Sequence, residues 1–131
     1  MLIFEHRPPN QKSIKMHRFK DLEIWRLSRI FCSDIYEATS SFPETEKFGI
    51  TNQLRRASVS VPSNIAEGCS RKSKRDFSRF LEIAIGSMYE IETQLLISND
   101  LNFIQKKQLN YLLQKLDSII KMTSKFKSTL K

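Results

Sequence analysis

Glycine, proline and cysteine are scarce in this sequence, which holds three, four and two of them among 131 residues. Folds built from many short strands need more glycine and proline for their turns, so the composition favours helix over sheet. The two cysteines show no metal-site spacing and are too few for a disulfide framework. They fit a reduced, intracellular setting, in which cysteines stay free thiols.

Histidine is scarce as well, and the two histidines, His6 and His17, lie near the N terminus. The serines at 58, 60 and 63 therefore have no nearby histidine to act as a base. No glycine-rich phosphate loop and no set of His, Cys and Asp with ligand spacing occurs. Three glutamates lie at different helical angles and lack the Glu-x-x-His pattern of di-iron bundles: Glu82, Glu90 and Glu92. We predict a non-enzymatic protein with no metal or cofactor.

The first 18 residues differ in composition from the rest of the chain. The apolar MLIF at the start is followed at once by charged residues, so we expect neither a signal peptide nor a membrane span, and a cytoplasmic location. A proline pair and a run of polar residues predict a flexible basic arm over residues 1–18. The remaining residues, 19–131, are enough for one domain with a core of its own.

Apolar residues recur at steps of three and four in four segments, which is the spacing of one face of a helix. The segments run from about 21 to 39, from just after Pro43 to about 68, from 73 to about 100, and from about 105 to 129. In the second segment, Gly49 is expected to separate a short entry turn from the main helix. Amphipathic helices with short connections are typical of an all-α, antiparallel up-down-up-down four-helix bundle. The second helix is expected to bend near Pro62, which has no N–H for the carbonyl of Ser58.

The ends of the helices are predicted from four residues. Asp21 is a candidate N-cap of the first helix, and Ser73 is one of the third. Gly68 suits the position just after the second helix, because glycine can adopt a positive φ. Asn102 suits a left-handed turn position after the third helix.

The second helix carries distinctive residues on more than one face. Val59 and Ala66 form a second, weaker apolar strip away from the core, and a helix that is apolar on two sides usually has two neighbours. Arg55 and Arg56 point about 100° apart around the helix axis. For these arginines we favour a structural role in ion pairs or hydrogen bonds between helices over a direct contact with a ligand.

Positive charge is in excess and unevenly placed. The formal net charge is +8, residues 69–80 carry five cations and one acid, and residues 101–131 carry seven and one. In an antiparallel bundle the second connection lies beside the end of the fourth helix, which would collect seven cations: Arg71, Lys72, Lys74, Arg75, Lys125, Lys127 and Lys131. Such a patch predicts contact with the phosphates of RNA or DNA. A solvated lysine-rich surface that binds nothing is the alternative.

Three segments resemble a known family. They are FKDLEIW at 19–25, FPETEKFGITNQLRRASVSVPSNIAEG at 42–68 and FLEIAIGSMYEIETQL at 80–95. Together they resemble the 23S rRNA intervening-sequence proteins, also called the S23 ribosomal protein family. The positions that carry the resemblance are Gln53, Arg55, Arg56, Asn64, Glu67, Gly68, Gly86, Ser87 and Glu90.

The resemblance implies a bacterial four-helix bundle that assembles into a homopentameric ring and has a largely undefined biochemical role. It assigns no catalytic role to the matching residues. The accessory variability protein of diversity-generating retroelements is similar in fold, and that protein is a basic pentamer that binds nucleic acid and a reverse transcriptase. A homopentamer would explain the two apolar sides of the second helix.

Three functions remain open at this point. The first is a homo-oligomeric protein that binds nucleic acid, with RNA favoured, through clustered Lys and Arg. The second is a scaffold that docks a protein partner, such as a reverse transcriptase or another neighbouring gene product. The third is a passenger of a mobile rRNA insertion, folded but without a selected ligand. Fold analogy alone does not decide among them.

Overall fold

A computed structural model describes residues 18–131. It contains four α-helices: α1 (Glu23–Thr39), α2 (Ile50–Cys69), α3 (Lys74–Asp100) and α4 (Lys106–Ser128). Short 3₁₀ turns occur at Phe19–Asp21 and Glu44–Glu46, and the described residues include no strand. The predicted all-α four-helix bundle is confirmed. Of the arm predicted at 1–18, residues 1–17 lie outside the described part of the chain.

Each helix packs against two others, in the order α1–α2, α2–α3, α3–α4 and α4–α1. Across the described residues the backbones of the diagonal pairs, α1 with α3 and α2 with α4, do not come within 8 Å of each other between Cα atoms. This is the arrangement of a bundle in which successive helices run in opposite directions. The start of α1, the end of α2, the start of α3 and the end of α4 therefore lie at one end of the molecule.

The core is apolar and includes a few hydroxyl groups that are satisfied locally. Its fully buried side chains come from all four helices and include Ile35, Leu54, Ile65, Leu81, Met88, Ile91, Leu95, Leu112 and Leu116. Thr39, Ser98 and Thr123 are buried as well, and each hydroxyl donates to the carbonyl four residues earlier at 2.7–2.8 Å. These buried polar groups therefore do not carry the cost of an unmade hydrogen bond.

The first helix begins later than Asp21, which we expected to cap it. Asp21 belongs to the 3₁₀ turn Phe19–Asp21, and the N-cap residue is Leu22, which has no side-chain acceptor. The turn is held by the Leu22 N–H donating to the carbonyl of Phe19 (3.1 Å) and by an edge-on contact of Phe19 with Trp25 (5.1 Å). Apolar packing, and not a carboxylate cap, sets this end of the helix.

The main second helix begins at Ile50, and the expected separation of a short entry turn from this helix at Gly49 is confirmed. Gly49 precedes it with φ −105° and ψ −122°, a conformation that is not helical and that separates the turn at Glu44–Glu46 from the helix. The carboxylate of Glu46 accepts the backbone N–H of Ile50 at 3.2 Å. This side chain takes the role of a cap from four residues away.

The prediction of a positive φ at Gly68 is wrong. Gly68 lies inside α2, and no glycine of the described chain has a positive φ. A Cβ at this position would lie 2.8 Å from Phe80 Cβ and 2.9 Å from Phe77 Cδ1. Glycine is needed here because α2 and α3 approach each other closely. The positive φ occurs instead at Asn102, at 64°, where the sequence predicted it.

Two other predictions concern Ser73 and Pro62. Ser73 is the N-cap of α3, and its hydroxyl accepts the N–H of Asp76 at 3.0 Å, which confirms the predicted cap. Pro62 lies within α2, which continues past it to Cys69. The bend near Pro62 stays a prediction.

Candidate nucleic-acid interface

Seven cations predicted to form one patch lie around one end of the bundle, here called the cationic end: Arg71, Lys72, Lys74, Arg75, Lys125, Lys127 and Lys131. Four of them precede α3 or lie in its first turn, and three lie in or beyond the last turn of α4. Two contacts join these segments. The rings of Phe77 and Phe126 lie 5.7 Å apart, and Lys127 Nζ lies 3.4 Å from a carboxylate oxygen of Glu82.

Five of the seven cations are exposed and have no ion-pair partner within 4.0 Å in the described part of the chain: Lys72, Lys74, Arg75, Lys125 and Lys131. Their charges are not used to hold the described fold together. They are therefore available to an anionic ligand.

Arg71 differs from these five because it is engaged within the fold. Its guanidinium lies 2.7 Å from a carboxylate oxygen of Glu67 and 4.7 Å from the ring centroid of Phe80. Its Nε is buried and has no hydrogen-bond partner. Arg71 closes the connection between α2 and α3, and its side chain serves mainly as a structural contact. Lys127 is half-buried and is engaged as well, through its ion pair with the exposed Glu82.

The start of α3 is an unfavourable place for so many cations. The N-terminal end of a helix carries the positive end of its dipole, and a cation placed there costs about 0.3–1 kcal/mol at an exposed site. Lys74 and Arg75 occupy this first turn and Lys72 precedes it, whereas Asp76 is its one acid and pairs with Arg79 at 3.6 Å. A bound phosphate would relieve this local repulsion.

Two further cations at this end were not among the predicted site residues. Lys20 is exposed in the 3₁₀ turn that contacts α2, and Arg79 lies one turn into α3, with its guanidinium 5.9 Å from the ring of Phe80. In the sequence, the many cations in the segments around them were the signal that could have indicated these two residues. Only the fold shows that the turn at Phe19–Asp21 packs beside the end of α2.

Arg55, one of the positions in α2 that carry the family resemblance, links this helix to α1. Its Nε–H donates to the hydroxyl of Thr39 at 2.9 Å, and its terminal amino group donates to the carbonyl of Tyr36 at 3.2 Å. The guanidinium also lies 4.6 Å from the ring centroid of Tyr36. These contacts add a second donor to the Tyr36 carbonyl and a donor to the Thr39 hydroxyl at the end of α1, so the arginine links the two helices.

Arg56 points elsewhere, into a shallow groove of about 270 Å³ between α2 and α3. The groove is lined by Gln53, Arg56, Ala57, Ser60, Ser87 and Glu90. A 2.9 Å hydrogen bond between the hydroxyls of Ser60 and Ser87 links the two helices. Asn64 donates to the carbonyl of Ser60 at 2.8 Å and to its hydroxyl at 3.0 Å. Most of the polar motif residues thus form one seam between α2 and α3.

Three small residues of α2 and α3, which are Val59, Ala66 and Gly86, lie away from the core. Val59 is 42% exposed and lines a groove of about 370 Å³ between α1 and α2, whereas Ala66 is half-buried. A Cβ at Gly86 would meet no atom within 4 Å. Glycine in the middle of a helix costs about 1 kcal/mol relative to alanine, and the described fold contains no contact that requires it here.

The described residues contain no group of three or more His, Cys, Asp and Glu side chains that could hold a metal ion. Burial, with a smaller contribution from Asp21, raises the pKa of the Cys69 thiol to about 11, so that this thiol is protonated near neutral pH. Sγ of the other cysteine, Cys32, lies 3.4 Å from the hydroxyl oxygen of Ser58. No helix among the described residues has the length and apolar character to span a membrane.

The topology and the polar seam define a protein of the four-helix bundle class. A family model for the 23S rRNA-intervening sequence protein matches residues 20–125, and the chain belongs to this family. The fold is similar to a crystal structure from Bacteroides thetaiotaomicron, described as a protein of unknown function from the S23 ribosomal protein family. The two chains are 23% identical with a TM-score of 0.72, covering 79% of this chain and 97% of that one. A search of curated proteins finds no match.

Proposed function

We propose that this protein binds nucleic acid, RNA in preference to DNA, through the cationic end. One observation carries the proposal: five exposed cations converge on one end of the bundle, and none of them has an ion-pair partner among the described residues. Three of them, Lys72, Lys74 and Arg75, lie at the start of α3 and oppose the dipole of this helix, so local stability does not account for these three. The family is named for sequences that interrupt 23S rRNA, which favours RNA as the polyanion.

The expected binding is electrostatic and depends little on sequence. If each of the five cations contacts one phosphate of a single strand, the slope of log K against log salt is about −3.5. Affinity would then fall about a hundredfold between roughly 50 and 200 mM salt. A duplex gives a somewhat steeper slope for the same number of contacts.

Self-association strengthens this proposal. We propose a homo-oligomer, and the family resemblance suggests a pentameric ring, in which the cationic end is repeated and weak contacts add through effective concentration. The exposed Val59 and the half-buried Ala66 support a contact on the α1 side of α2. Replacing both by glutamate should yield smaller species in light scattering. An unchanged mass would show that the contact between subunits of the ring lies on another face.

The chain offers a matched pair of variants for the binding test. Lys72→Ala/Lys74→Ala removes two exposed lysines at the start of α3, and Lys106→Ala/Lys107→Ala removes two exposed lysines at the start of α4. The two sites lie at opposite ends of the bundle, about 35 Å apart along its axis if α4, with 23 residues, sets the length. Each variant lowers the net charge by the same amount.

Binding is measured for structured RNA, double-stranded DNA and single strands over a salt series. The change at Lys72 and Lys74 should weaken binding and reduce the salt slope by about 1.4 to 1.8, whereas the change at Lys106 and Lys107 should leave both nearly unchanged. Equal losses in the two variants would show that net charge and not the cationic end drives binding. No binding by the wild-type protein at low salt would refute the proposal.

A second candidate function is docking of a protein partner, and it rests on the opposite end of the bundle. Phe48 is 86% exposed between the turn at Glu44–Glu46 and α2, and Leu101 is 51% exposed after α3. The rings of Phe42 and Phe103, 5.6 Å apart, show that these two connections touch. Exposed apolar residues on adjacent loops are a feature of protein-binding surfaces.

If the protein is a scaffold, it should form a complex with a neighbouring gene product, such as a reverse transcriptase. This complex should survive high salt, and Phe48→Ser should abolish it. Co-expression followed by gel filtration at high salt tests it. Phe48 packs on nothing in the core, so this change should leave the free energy of unfolding almost unaltered. Failure of both binding assays would leave the passenger of an rRNA insertion as the remaining interpretation.

A further inference from the structure

The groove between α2 and α3 presents two opposite charges that do not pair with each other. Arg56 and Glu90 both line it and are exposed, yet neither has an ion-pair partner within 4.0 Å among the described residues. A surface with a separated cation and anion is complementary to its own copy. A two-fold axis through the groove brings Arg56 of each molecule to Glu90 of the other.

A buried acceptor lies beside this pair. Gln94 is only 7% exposed, and its amide nitrogen lies 3.4 Å from oxygens of both Gln53 and Glu90. Its Oε1 is buried and accepts no hydrogen bond. Buried polar atoms without a partner are uncommon and unfavourable. The Gln94 amide thus links Gln53 of α2 to Glu90 of α3 beneath the groove and helps to hold the Glu90 carboxylate in place.

Gly86 is the third feature of this surface. It lies one helical turn before Glu90 on the exposed side of α3, and a Cβ there would meet no atom of the described chain. The missing side chain allows the backbone of another molecule to come close. Ile83, one turn earlier and 47% exposed, supplies apolar surface that such a contact would cover.

We infer that the α2–α3 groove is a contact between two copies of this chain related by a two-fold axis, in which Arg56 of each copy pairs with Glu90 of the other. The inference rests on the self-association proposed above and adds a different face to it. Val59 lines the groove on the α1 side of α2. A five-membered ring needs head-to-tail contacts, so a two-fold contact joins two rings or two single chains.

Charge reversal tests the pairing, because each single change produces two like-charge contacts per pair of molecules. Arg56→Glu leaves only acids at the two positions, and Glu90→Arg leaves only bases. Each variant alone should have half the mass of the wild-type assembly in sedimentation velocity at low salt. An equimolar mixture of the two should recover the full mass, since every contact then joins an acid to a base. The double variant Arg56→Glu/Glu90→Arg should also keep the full mass.

Lys107→Glu is the matched control, because it reverses an exposed charge at the start of α4 that has no ion-pair partner in the described part of the chain, and it should leave the mass unchanged. Recovery in the mixture also shows that both single variants are folded. A wild-type monomer would overturn this inference together with the proposed self-association. An assembly that resists both single reversals would overturn this inference alone. Single variants that dissociate and stay dissociated when mixed would rule out the reciprocal pairing.

Discussion

Two glycines inside helices should respond in opposite directions to the same substitution. In Gly68→Ala the new methyl group would lie within 3.0 Å of Phe80 Cβ and Phe77 Cδ1. Phe80 Cβ is fixed to the backbone of α3 and cannot rotate away, so the two helices must separate slightly. Overpacking of this kind costs about 1–3 kcal/mol, whereas alanine gains about 1 kcal/mol over glycine in helix propensity. Because Phe80 Cβ is fixed, the cost should lie in the upper part of this range, about 2–3 kcal/mol, which leaves a net loss of about 1–2 kcal/mol after the gain.

Gly86→Ala is the internal control, because the same chemical change there meets open space. Only the propensity gain remains, so the variant should be more stable than the wild type by about 0.5–1 kcal/mol. The two variants should thus differ by about 1.5–3 kcal/mol in the free energy of unfolding, measured by urea titration and circular dichroism on dilute protein. Thermal midpoints should differ by roughly 8 °C. Equal stability of the two variants would refute the argument that α2 and α3 are held at contact distance by Gly68.

Two further predictions concern the alkaline range and the thiols. Lys115 donates to Asp34 at 2.7 Å across α1 and α4, and this hydrogen bond, with a smaller one to Tyr111, raises the pKa of Lys115. Stability from this pair is complete below the ordinary lysine pKa and is lost as pH rises through the raised one. Asp34→Asn should therefore lower the free energy of unfolding by about 0.5–1 kcal/mol at neutral pH and by less in strong alkali, as urea titrations over pH would measure. Burial raises the pKa of Cys69 to about 11, so iodoacetamide at pH 8 should modify the half-exposed Cys32 well before Cys69 in the folded protein. Mass spectrometry measures the rate of modification of each single thiol in Cys69→Ser and Cys32→Ser. Faster modification of Cys69 than of Cys32 would contradict the prediction.

The bundle was predictable because its signal is redundant. The spacing of apolar residues repeats over four segments, and each repeat independently indicates a helix with one buried face. The caps at Ser73 and the left-handed turn at Asn102 were predictable for a related reason, since each depends on one residue type and its immediate neighbours. Local chemistry with a local cause can be found in a single sequence.

The errors arose where a distant contact decides the local structure. Glycine is a residue type that often terminates a helix, but the role of Gly68 depends on Phe77 and Phe80, which belong to the next helix. Asp21 has the right side chain for a cap, yet the contact of Phe19 with Trp25 shifts the start of α1 past it. Neither packing contact can be read from the spacing of residues along the chain.

The candidate site was predictable in outline and not in detail. Antiparallel topology was enough to bring the segments that hold Lys74 and Lys125 to one end. It could not show that Arg71 is held by Glu67 and Phe80, because this depends on how the connection between α2 and α3 folds back. Nor could it show that Arg56 and Glu90 line one groove without pairing. Side-chain geometry therefore distinguishes the charged residues that hold the fold together from those that are available to a ligand.

The positions that the fold itself does not explain are the ones that point outward to function. Lys74 and Arg75 oppose the dipole of their own helix, Gly86 gives up helix propensity with no neighbour to accommodate, and Gln94 buries an acceptor without a donor. A sequence selected only for stability would favour different residues at each of these places. They separate into the end that we propose to bind nucleic acid and the face of α2 and α3 that we propose to contact a second copy. These two surfaces use different residues, so a variant that abolishes one should leave the other intact.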